Sequence, residues 1–263
     1  MEINCQYLTI CGKSDGLGAQ TNAKFSGLAF CELHNLTYVH SPFKRISHGF
    51  NAADVATAEA FFGLGSGELQ ISDSSISHGS IEKHKFMAAV VYSRTPDKFY
   101  TSTFRRRLRA KYNETEKPAL PFLPGKFNVC MHIRRGDVRD KPLYKGRYTP
   151  DEKNLEMISK IQALFPGAMI YIFSEGQPKR FSQYKRLPNV RMCLNQNVFT
   201  TFHAMVSADM FVPARSAFSY CAALLSEGVV VRDGLAGFLT FQGRPECLPL
   251  NSWQSLDQLS VRR

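Results

Sequence analysis

The chain has 263 residues, of which 44% are hydrophobic and 21% are charged. This length fits one large domain or two small ones, and this composition excludes an intrinsically disordered or fibrous protein. Lys and Arg outnumber Asp and Glu by 33 to 22 in the whole chain, and by 19 to 11 after residue 118. The formal charge of +11 therefore lies mainly in the second half, which favours an anionic ligand there.

In the N-terminal half, a β-rich run at residues 7–11 precedes the glycine-containing segment 12–20. Apolar residues at helical spacing follow over 21–36, and a second β-rich run covers 37–40. This order predicts a strand, a turn, a helix and a parallel strand. Further along, the sequence predicts an alanine-rich helix over 51–65 and a passage from helix to strand over 81–94.

Three prolines in residues 112–126 mark a linker, which predicts domains at 1–118 and 119–263. The second half then predicts strands at 127–133, 168–173, 210–212 and 228–232, with helices at 154–165 and 216–226. We therefore expect an α/β protein with two small domains, and a ligand in the cleft between them.

No membrane-spanning run and no secretory signal are visible. The longest purely apolar run, near 168–173, is far shorter than the roughly 18 residues that a spanning helix needs. The first residues lack the basic and apolar regions of a signal peptide. The seven cysteines form no Cys-x-x-Cys pair, which indicates reduced thiols and argues against a zinc site. We expect a cytoplasmic protein with no metal and no transmembrane segment.

The strongest local motif is HIRRGD at residues 132–137, directly after a predicted buried strand. Side chains at the carboxyl end of such a strand face the crevice where α/β proteins bind ligands. Arg134 and Arg135 are candidates for binding a phosphate, because guanidinium groups match its oxygens in pairs. The alternative is a salt-bridged strand end, with Asp137 pairing one arginine. The RGD tripeptide favours cell adhesion only in a secreted chain.

A second motif, in residues 213–225, places serines where a helix begins. The free N–H groups at a helix N-terminus bind a diphosphate, so a helix that begins at Ser216 or Ser219 would provide a diphosphate site. Simple capping of the helix by a serine explains the same pattern.

Two weaker signals follow other strands. Gly16, Gly18 and Gln20 lie in GLGAQ, where glycines permit a tight turn and the close approach of a ligand. Ser174 and Glu175 end YIFSE, where a carboxylate suits a guanine edge or a ribose hydroxyl. Simple turns are the alternative for both segments.

Other motifs are missing or ambiguous. No Asp-x-Asp occurs, so the usual carboxylate clamp for a metal-bound nucleotide sugar is missing, and no Gly-x-Ser-x-Gly elbow occurs. The basic run 105–111 lacks interleaved aromatic residues, which argues against nucleic-acid binding. A solvated helix face or a surface for an anionic acceptor explains this run better.

Taken together, four motifs resemble a family. HIRRGD resembles the HxRRxD motif shared by α-1,2-, α-1,6- and protein O-fucosyltransferases, and the α-1,2 branch is the nearest. GLGAQ is similar to that branch's GxGNQ, YIFSE to its FSD/E, and RSAFSYCAALLS to its NSSFSxWxAxL. The chain departs from the family at Ala19 and at Arg215, where the family has Asn, and at Tyr220-Cys221, which replace its aromatic pair.

The resemblance implies two facing Rossmann-like domains of the GT-B type. It also implies an inverting, metal-independent transfer from GDP-fucose to a hydroxyl of a glycan acceptor. The N-terminal domain would bind the acceptor and the C-terminal domain the donor. By motif position, Arg134 would hold the β-phosphate, with Arg135 and His132 in support. The donor pocket would also include Ser216, Phe218 and Ser219, with Ser174 and Glu175 near the nucleoside. Gly16, Gly18 and Gln20 of the N-terminal half would contribute to donor binding as well.

The chemistry requires a base for the acceptor hydroxyl and positive charge for the departing diphosphate. Asp137 is the first candidate base because it follows the arginines, and Asp15 in the glycine segment is the second. Two alternatives stay open. One is the same fold with a different nucleotide sugar, and the other is a nucleotide-sugar or glycan-binding protein without catalysis.

Overall fold

The computed structural model describes residues 6–75, 77–138, 146–238 and 244–260, without the side chains of His78, Asp137 and Ser260. The chain divides into two compact units, Met1–Lys117 and Pro118–Arg263. The boundary predicted from the prolines lies at residue 118, one residue away. In the described ranges, no helix is both long and apolar enough to cross a lipid bilayer.

The N-terminal unit contains a four-stranded sheet with helices around it. The strands pair in parallel in the order β3-β2-β1-β4. In chain order, the elements are β1 (Tyr7–Ile10), α1 (Leu17–His34), β2 (Thr37–His40), α2 (Ala52–Phe62), β3 (Leu69–Gln70), β4 (Ile81–His84), α3 (Ala88–Val91) and α4 (Ser102–Asn113).

The C-terminal unit contains a five-stranded sheet in the order β7-β6-β5-β8-β9, again with parallel pairing. In chain order, the elements are β5 (Asn128–His132), α5 (Asp151–Leu164), β6 (Met169–Ser174), α6 (Ser182–Lys185), β7 (Val190–Leu194), α7 (Val198–Ser207), β8 (Met210–Val212), α8 (Ala217–Leu225), β9 (Val229–Val230) and α9 (Leu256–Ser260).

The strand order of each unit is that of a Rossmann-like domain: the first strand is central, the next two lie on one side, and the chain then crosses to the other side. The predicted α/β class is therefore confirmed. Parallel strands covered by helices on their faces are buried, which explains their continuous apolar sequences. In the C-terminal unit, strand residues such as Val129, Met131 and Ile170 pack in one cluster with Ile158 and Ile161 of α5.

Helix ends follow local signals in the sequence. Asn51 and Asp54 form a reciprocal capping box at the start of α2. The first helix ends at Asn35, which takes a left-handed conformation with φ 54°. Ser216 caps α8 through a hydrogen bond from the Ser219 N–H.

Some predicted elements differ from the structure. Residues 81–94 run from strand β4 to helix α3, so the predicted order of helix then strand is wrong. The short α3 spans only four residues, too few to give a helical period in the sequence. Prediction also missed β3, β7 and α7. Strand β7 carries Arg191 and mixed burial, so it lacks an apolar run.

Candidate functional site

The candidate site of the C-terminal unit lies at the switch point of its sheet. Strand β5 pairs with β6 on one side and with β8 on the other. The connections after β5 and β8 therefore leave the same carboxyl edge in opposite directions, which opens a crevice between them. His132 is the last residue of β5, and β8 ends at Val212, shortly before α8.

A hydrogen bond joins the two sides of this crevice. The Nδ1 atom of His132 lies 2.5 Å from the Oγ atom of Ser219, and the Ala214 N–H donates to the same oxygen at 3.2 Å. Within the described part of the chain, His132 is the one acceptor for the Ser219 hydroxyl proton. We therefore assign that proton to the Oγ···Nδ1 bond and the ring proton of His132 to Nε2.

His132 is an uncharged group. Burial, with the charge of Arg134 in addition, lowers the pKa of its imidazole to about 3. The edge of the Phe218 ring also approaches the imidazole, with the ring centroids 6.2 Å apart. At neutral pH, His132 is therefore a neutral hydrogen-bonding group beside an arginine.

Helix α8 presents its N-terminus at the crevice. The fully buried Ser216 side chain accepts from the Ser219 N–H at 3.1 Å, and the Tyr220 N–H donates to the Ser216 carbonyl. Among the described residues, the N–H groups of Ala217 and Phe218 have no acceptor. The side chains of Ser216 and Ser219 thus build the helix start, and backbone N–H groups are left for an anion.

Arg135 is held inside the unit by a carboxylate. It is 8% exposed, forms a close ion pair with Asp151 of α5, and donates to the Arg134 carbonyl at 3.0 Å. Its guanidinium also lies 4.5 Å from the centre of the Tyr148 ring. A salt-bridged arginine is thus found, Arg135 with Asp151, whereas the side chain of Asp137, the partner named in that alternative, lies outside the described residues.

The Asp151 carboxylate has a second donor, the Tyr184 hydroxyl, at 2.6 Å. Burial alone would raise the pKa of Asp151, but the hydrogen bonds from Tyr184 and Arg135 lower it below its usual value. The ion pair is therefore intact at neutral pH and fixes the conformation of the chain after β5.

Two more arginines border the crevice. Arg134 is half-buried, and it follows β5 by two residues. Arg215 directly precedes the cap residue of α8, and its Nη1 donates to the Tyr148 carbonyl at 3.3 Å. Partial burial lowers the pKa of Arg215, which nonetheless stays charged at neutral pH because its ordinary pKa is so high.

The end of β6 lies against the same chain segment. The buried Ser174 hydroxyl donates to the Ile133 carbonyl at 2.5 Å. Glu175 follows, and a Cβ atom at Gly136 would lie only 2.7 Å from its Oε2. Gly136 also has φ +35°, a conformation that favours glycine. Both this φ angle and the short distance to Glu175 therefore favour a glycine here. Glu175 is thereby placed next to the turn that follows the arginines.

The first candidate base lies at the edge of the described chain. The backbone of Asp137 belongs to a short 3₁₀ helix, Gly136–Val138, but its side chain lies outside the described residues. The role of Asp137 stays a prediction.

Only the last part of the glycine-containing segment 12–20, residues 17–20, is helical. Gly16 caps α1, whereas Gly18 and Gln20 lie within the first turn of that helix. The buried Gln20 amide donates to the Asp15 carbonyl at 2.7 Å and to the Arg45 carbonyl at 2.8 Å. Asp15 itself pairs with Lys13 at 2.8 Å and is half-exposed. Gln20 therefore joins two loops, and its predicted binding of a donor stays untested.

Several residues of the site had no sequence signal. Asp151, Tyr148 and Tyr184 lie 11 or more residues beyond Arg135 in the chain and belong to no motif. Arg215 was visible only as a departure from a family pattern. Among the described residues, no group of three or more His, Cys, Asp or Glu side chains is arranged to hold a metal ion.

No family model matches the sequence, and no curated protein matches it. Among solved structures, one similar to this chain is POFUT1 in complex with GDP, with a TM-score of 0.46 and 12% identity over 88% of this chain and 95% of that one. Another is the NodZ α-1,6-fucosyltransferase soaked with GDP-fucose, with a TM-score of 0.44 and 12% identity over 85% and 93%. NodZ is an enzyme of Bradyrhizobium.

A third similar structure is the E. coli heptosyltransferase WaaC with ADP. It has a TM-score of 0.44 and 14% identity over 97% of both chains. All three likenesses are distant in sequence and in structure, so they do not establish an activity.

Proposed function

We propose that the chain is a glycosyltransferase that moves fucose from GDP-fucose to a hydroxyl of a glycan acceptor, with inversion and without a metal ion. One observation carries the proposal: the hydrogen bond between His132 and Ser219 joins the arginine segment after β5 to the N-terminus of α8. Two elements that bind anions therefore meet at the carboxyl edge of one sheet.

The diphosphate of a nucleotide sugar fits these elements. The N–H groups of Ala217 and Phe218, with the positive end of the helix dipole, suit one phosphate. The Arg134 guanidinium suits the other, because it offers two parallel donors to phosphate oxygens. Glu175 lies next to the same turn and suits a guanine edge or a ribose hydroxyl.

Such a site stabilises the transition state of glycosyl transfer. As the bond between sugar and diphosphate breaks, negative charge grows on the departing phosphate. In this proposal, the guanidinium and N–H groups at the crevice face that charge and neutralise it in place of a divalent ion. The carboxylate clamp of a metal-bound nucleotide sugar, Asp-x-Asp, has no counterpart in the sequence.

His132 supports the leaving group and does not accept the acceptor's proton. With its pKa lowered to about 3, it is too weak a base at neutral pH, but its Nε2–H is a neutral donor. The base is a carboxylate in this proposal. Asp137 is the first candidate, and Asp15, which forms an ion pair with Lys13, is the second.

The remaining predicted residues position these groups. The ion pair with Asp151 fixes the Arg135 guanidinium, which donates to the Arg134 carbonyl and so positions it. Ser174 fixes the Ile133 carbonyl, one residue before Arg134. In the N-terminal unit, Gly16 at the start of α1, with Gly18 and Gln20 in its first turn, would complete the binding of the donor.

An observation on the same residues favours a second candidate, a nucleotide-sugar-binding protein without catalysis. The side chains of Arg135, Ser216 and Ser219 all make internal contacts, so the motifs would be retained for folding alone. This protein would bind a nucleotide sugar and release no GDP.

A thermal-shift panel tests the donor assignment. The panel contains GDP, UDP, ADP, GDP-fucose, GDP-mannose and UDP-sugars, all at the same concentration. A ligand present at 100 times its dissociation constant that binds the native state alone adds about 2.7 kcal/mol of stability, which raises the Tm by several degrees. We expect GDP and GDP-fucose to raise the Tm. Stabilisation by UDP or ADP but not by GDP would contradict the fucosyl donor and favour a different nucleotide sugar.

A further inference from the structure

A buried lysine in the N-terminal unit has more N–H donors than hydrogen-bond acceptors around it among the described residues. Lys24 of α1 is only 4% exposed, and its ammonium donates to the Ser41 carbonyl and lies 4.8 Å from the centre of the Phe43 ring. An ammonium has three N–H donors. Within the described residues, Ser41 supplies its one hydrogen-bond acceptor, and no carboxylate forms an ion pair with it.

The carboxylate that influences Lys24 is already occupied. Glu59 accepts from the Phe43 N–H at 2.9 Å, and its other oxygen lies 2.6 Å from Nε2 of the buried His40. Glu59 raises the pKa of Lys24, but burial dominates and lowers it to about 8. A buried cation without a close counter-ion is costly for a folded protein.

Lys24 also lines a pocket at the carboxyl ends of β1 and β2. The pocket has a volume of about 70 Å³. A cavity needs a volume of roughly 10–15 Å³ to hold one water. The pocket therefore has room for on the order of five non-hydrogen atoms. Its lining includes Cys11, Lys13, Gln20, Lys24, Ser41 and Lys44.

The charge around this pocket is positive. Lys13 pairs with Asp15, but Lys44 is exposed and has no ion-pair partner in the described ranges. Three ammonium groups therefore surround the pocket, and among the described residues only that of Lys13 is paired with a carboxylate, Asp15. A group of four or five heavy atoms that carries negative charge and several acceptors would complete the Lys24 hydrogen bonds.

We infer that this pocket binds a small oxyanion, namely a carboxylate, sulfate or phosphate group, with Lys24 at its base and Lys13 and Lys44 at its rim. The anion is the acidic group of a ligand other than the nucleotide. In a glycosyltransferase it belongs to the acceptor, and this last step rests on the proposed function.

The test uses inorganic phosphate, sulfate and acetate as probes of the whole chain. In thermal-shift titrations at constant ionic strength, we expect phosphate or sulfate to raise the Tm with saturation, whereas chloride does not. Acetate distinguishes a carboxylate from a tetrahedral anion. The readout is the anion-dependent increase in Tm, because Lys24→Met changes the basal Tm as well.

Variants locate the binding. Lys24→Met should abolish the increase, Lys44→Ala should weaken binding several-fold, and the exposed Lys98→Ala should leave it unchanged. Lys44→Ala is a surface substitution that keeps the fold. If Lys24→Met does not fold, Lys44→Ala alone tests whether the anion binds at this pocket. An equal increase in wild type and both pocket variants, or an equal effect of chloride, would overturn the inference.

A GDP titration of Lys24→Met separates the pocket from the nucleotide site. We expect this variant to lose the phosphate effect and to keep GDP binding. Loss of both together would assign the pocket to the diphosphate of the nucleotide and overturn the inference. Failure of the wild type to bind GDP would count against the proposed function alone, since the phosphate titration does not depend on it.

Discussion

The Nδ1 atom of His132, at the end of β5, lies 2.5 Å from the Oγ atom of Ser219 in the first turn of α8. This contact joins residues 87 positions apart and closes the switch point of the C-terminal sheet. The Ser219 hydroxyl also accepts from the Ala214 N–H. One buried oxygen therefore fixes the histidine ring, the loop after β8 and the start of the helix.

Ser219→Ala tests this contact. The change leaves the Ala214 N–H and the His132 Nδ1 without a partner, so we expect the free energy of unfolding to fall by about 1–3 kcal/mol. Urea denaturation measures the loss. Ser207→Ala, at an exposed serine in α7, is the matched control and should change stability by less than about 0.5 kcal/mol. Equal effects of the two changes would contradict the structural role of Ser219.

Arg135→Met tests the ion pair with Asp151. Removing the guanidinium leaves a partly buried carboxylate, so we expect a loss of about 2–3 kcal/mol. Asp151 is 30% exposed, which keeps the loss below that of a fully buried pair. A double-mutant cycle with Asp151→Asn measures the coupling. Purely additive effects of the two substitutions would show that the ion pair between Arg135 and Asp151 does not stabilise the chain segment after β5.

The same pair sets a pH dependence. The folded-state pKa of Asp151 is lowered, so its contribution to stability is present above its unfolded-state pKa, near 4, and is lost as the pH falls through the folded value. The stability difference between wild type and Asp151→Asn should therefore shrink below about pH 4. Denaturation curves between pH 2 and pH 7 measure it, and a difference that stays constant would contradict the ion pair.

Gly234→Ala tests the support of the loop that leads into α8. A Cβ atom at Gly234 would lie 1.9 Å from the Pro213 carbonyl oxygen, a contact that only a backbone shift could relieve. We expect a loss of roughly 2 kcal/mol or more, in the range of overpacked cores. Gly79→Ala is the control, because its nearest neighbour lies 3.8 Å away. A tolerated Gly234→Ala would show that the loop is free to shift.

Lys24→Met should stabilise the protein in phosphate-free buffer at neutral pH. The pKa of Lys24 falls from 10.5 to about 8 on folding, so its burial costs about 3 kcal/mol when the amine is charged in both states. Above pH 8 the folded state releases the proton while the unfolded state keeps it, so wild-type stability rises relative to the variant until about pH 10.5. Denaturation of both proteins across this range measures the stability difference, and a difference that stays constant would contradict the lowered pKa of Lys24.

The elements that could be predicted from the sequence are those determined by residues close together in the chain. The apolar strands β1, β2, β5, β6 and β8 and the cap of α8 by Ser216 all follow from residue patterns within a few positions. Three elements do not follow from such patterns: the short β3, the Arg-containing β7 and the four-residue α3. Their structure depends on packing against neighbouring elements more than on their own sequence.

The sequence marked the segments that form the candidate site, but not the contacts between their side chains. HIRRGD and the serines before α8 marked two segments, but the partner of Arg135 was not visible. Asp151 begins α5, and its acidic first turn looks like an ordinary response to the helix dipole. Lys24 was missed for a similar reason: a lone lysine in a helical stretch predicts an exposed position, and only the packing of α1 buries it.

The most direct measurement is the hydrolysis of GDP-fucose to GDP and fucose, with water as the acceptor, by wild type, Arg134→Ala and the exposed control Arg186→Ala, with and without EDTA. We predict wild-type turnover that EDTA does not change, a decrease of about 100- to 1,000-fold in Arg134→Ala with its circular dichroism spectrum preserved, and a wild-type rate in Arg186→Ala. Turnover at the wild-type rate in Arg134→Ala would contradict the assignment of Arg134. GDP-fucose binding without any release of GDP would contradict the enzyme itself.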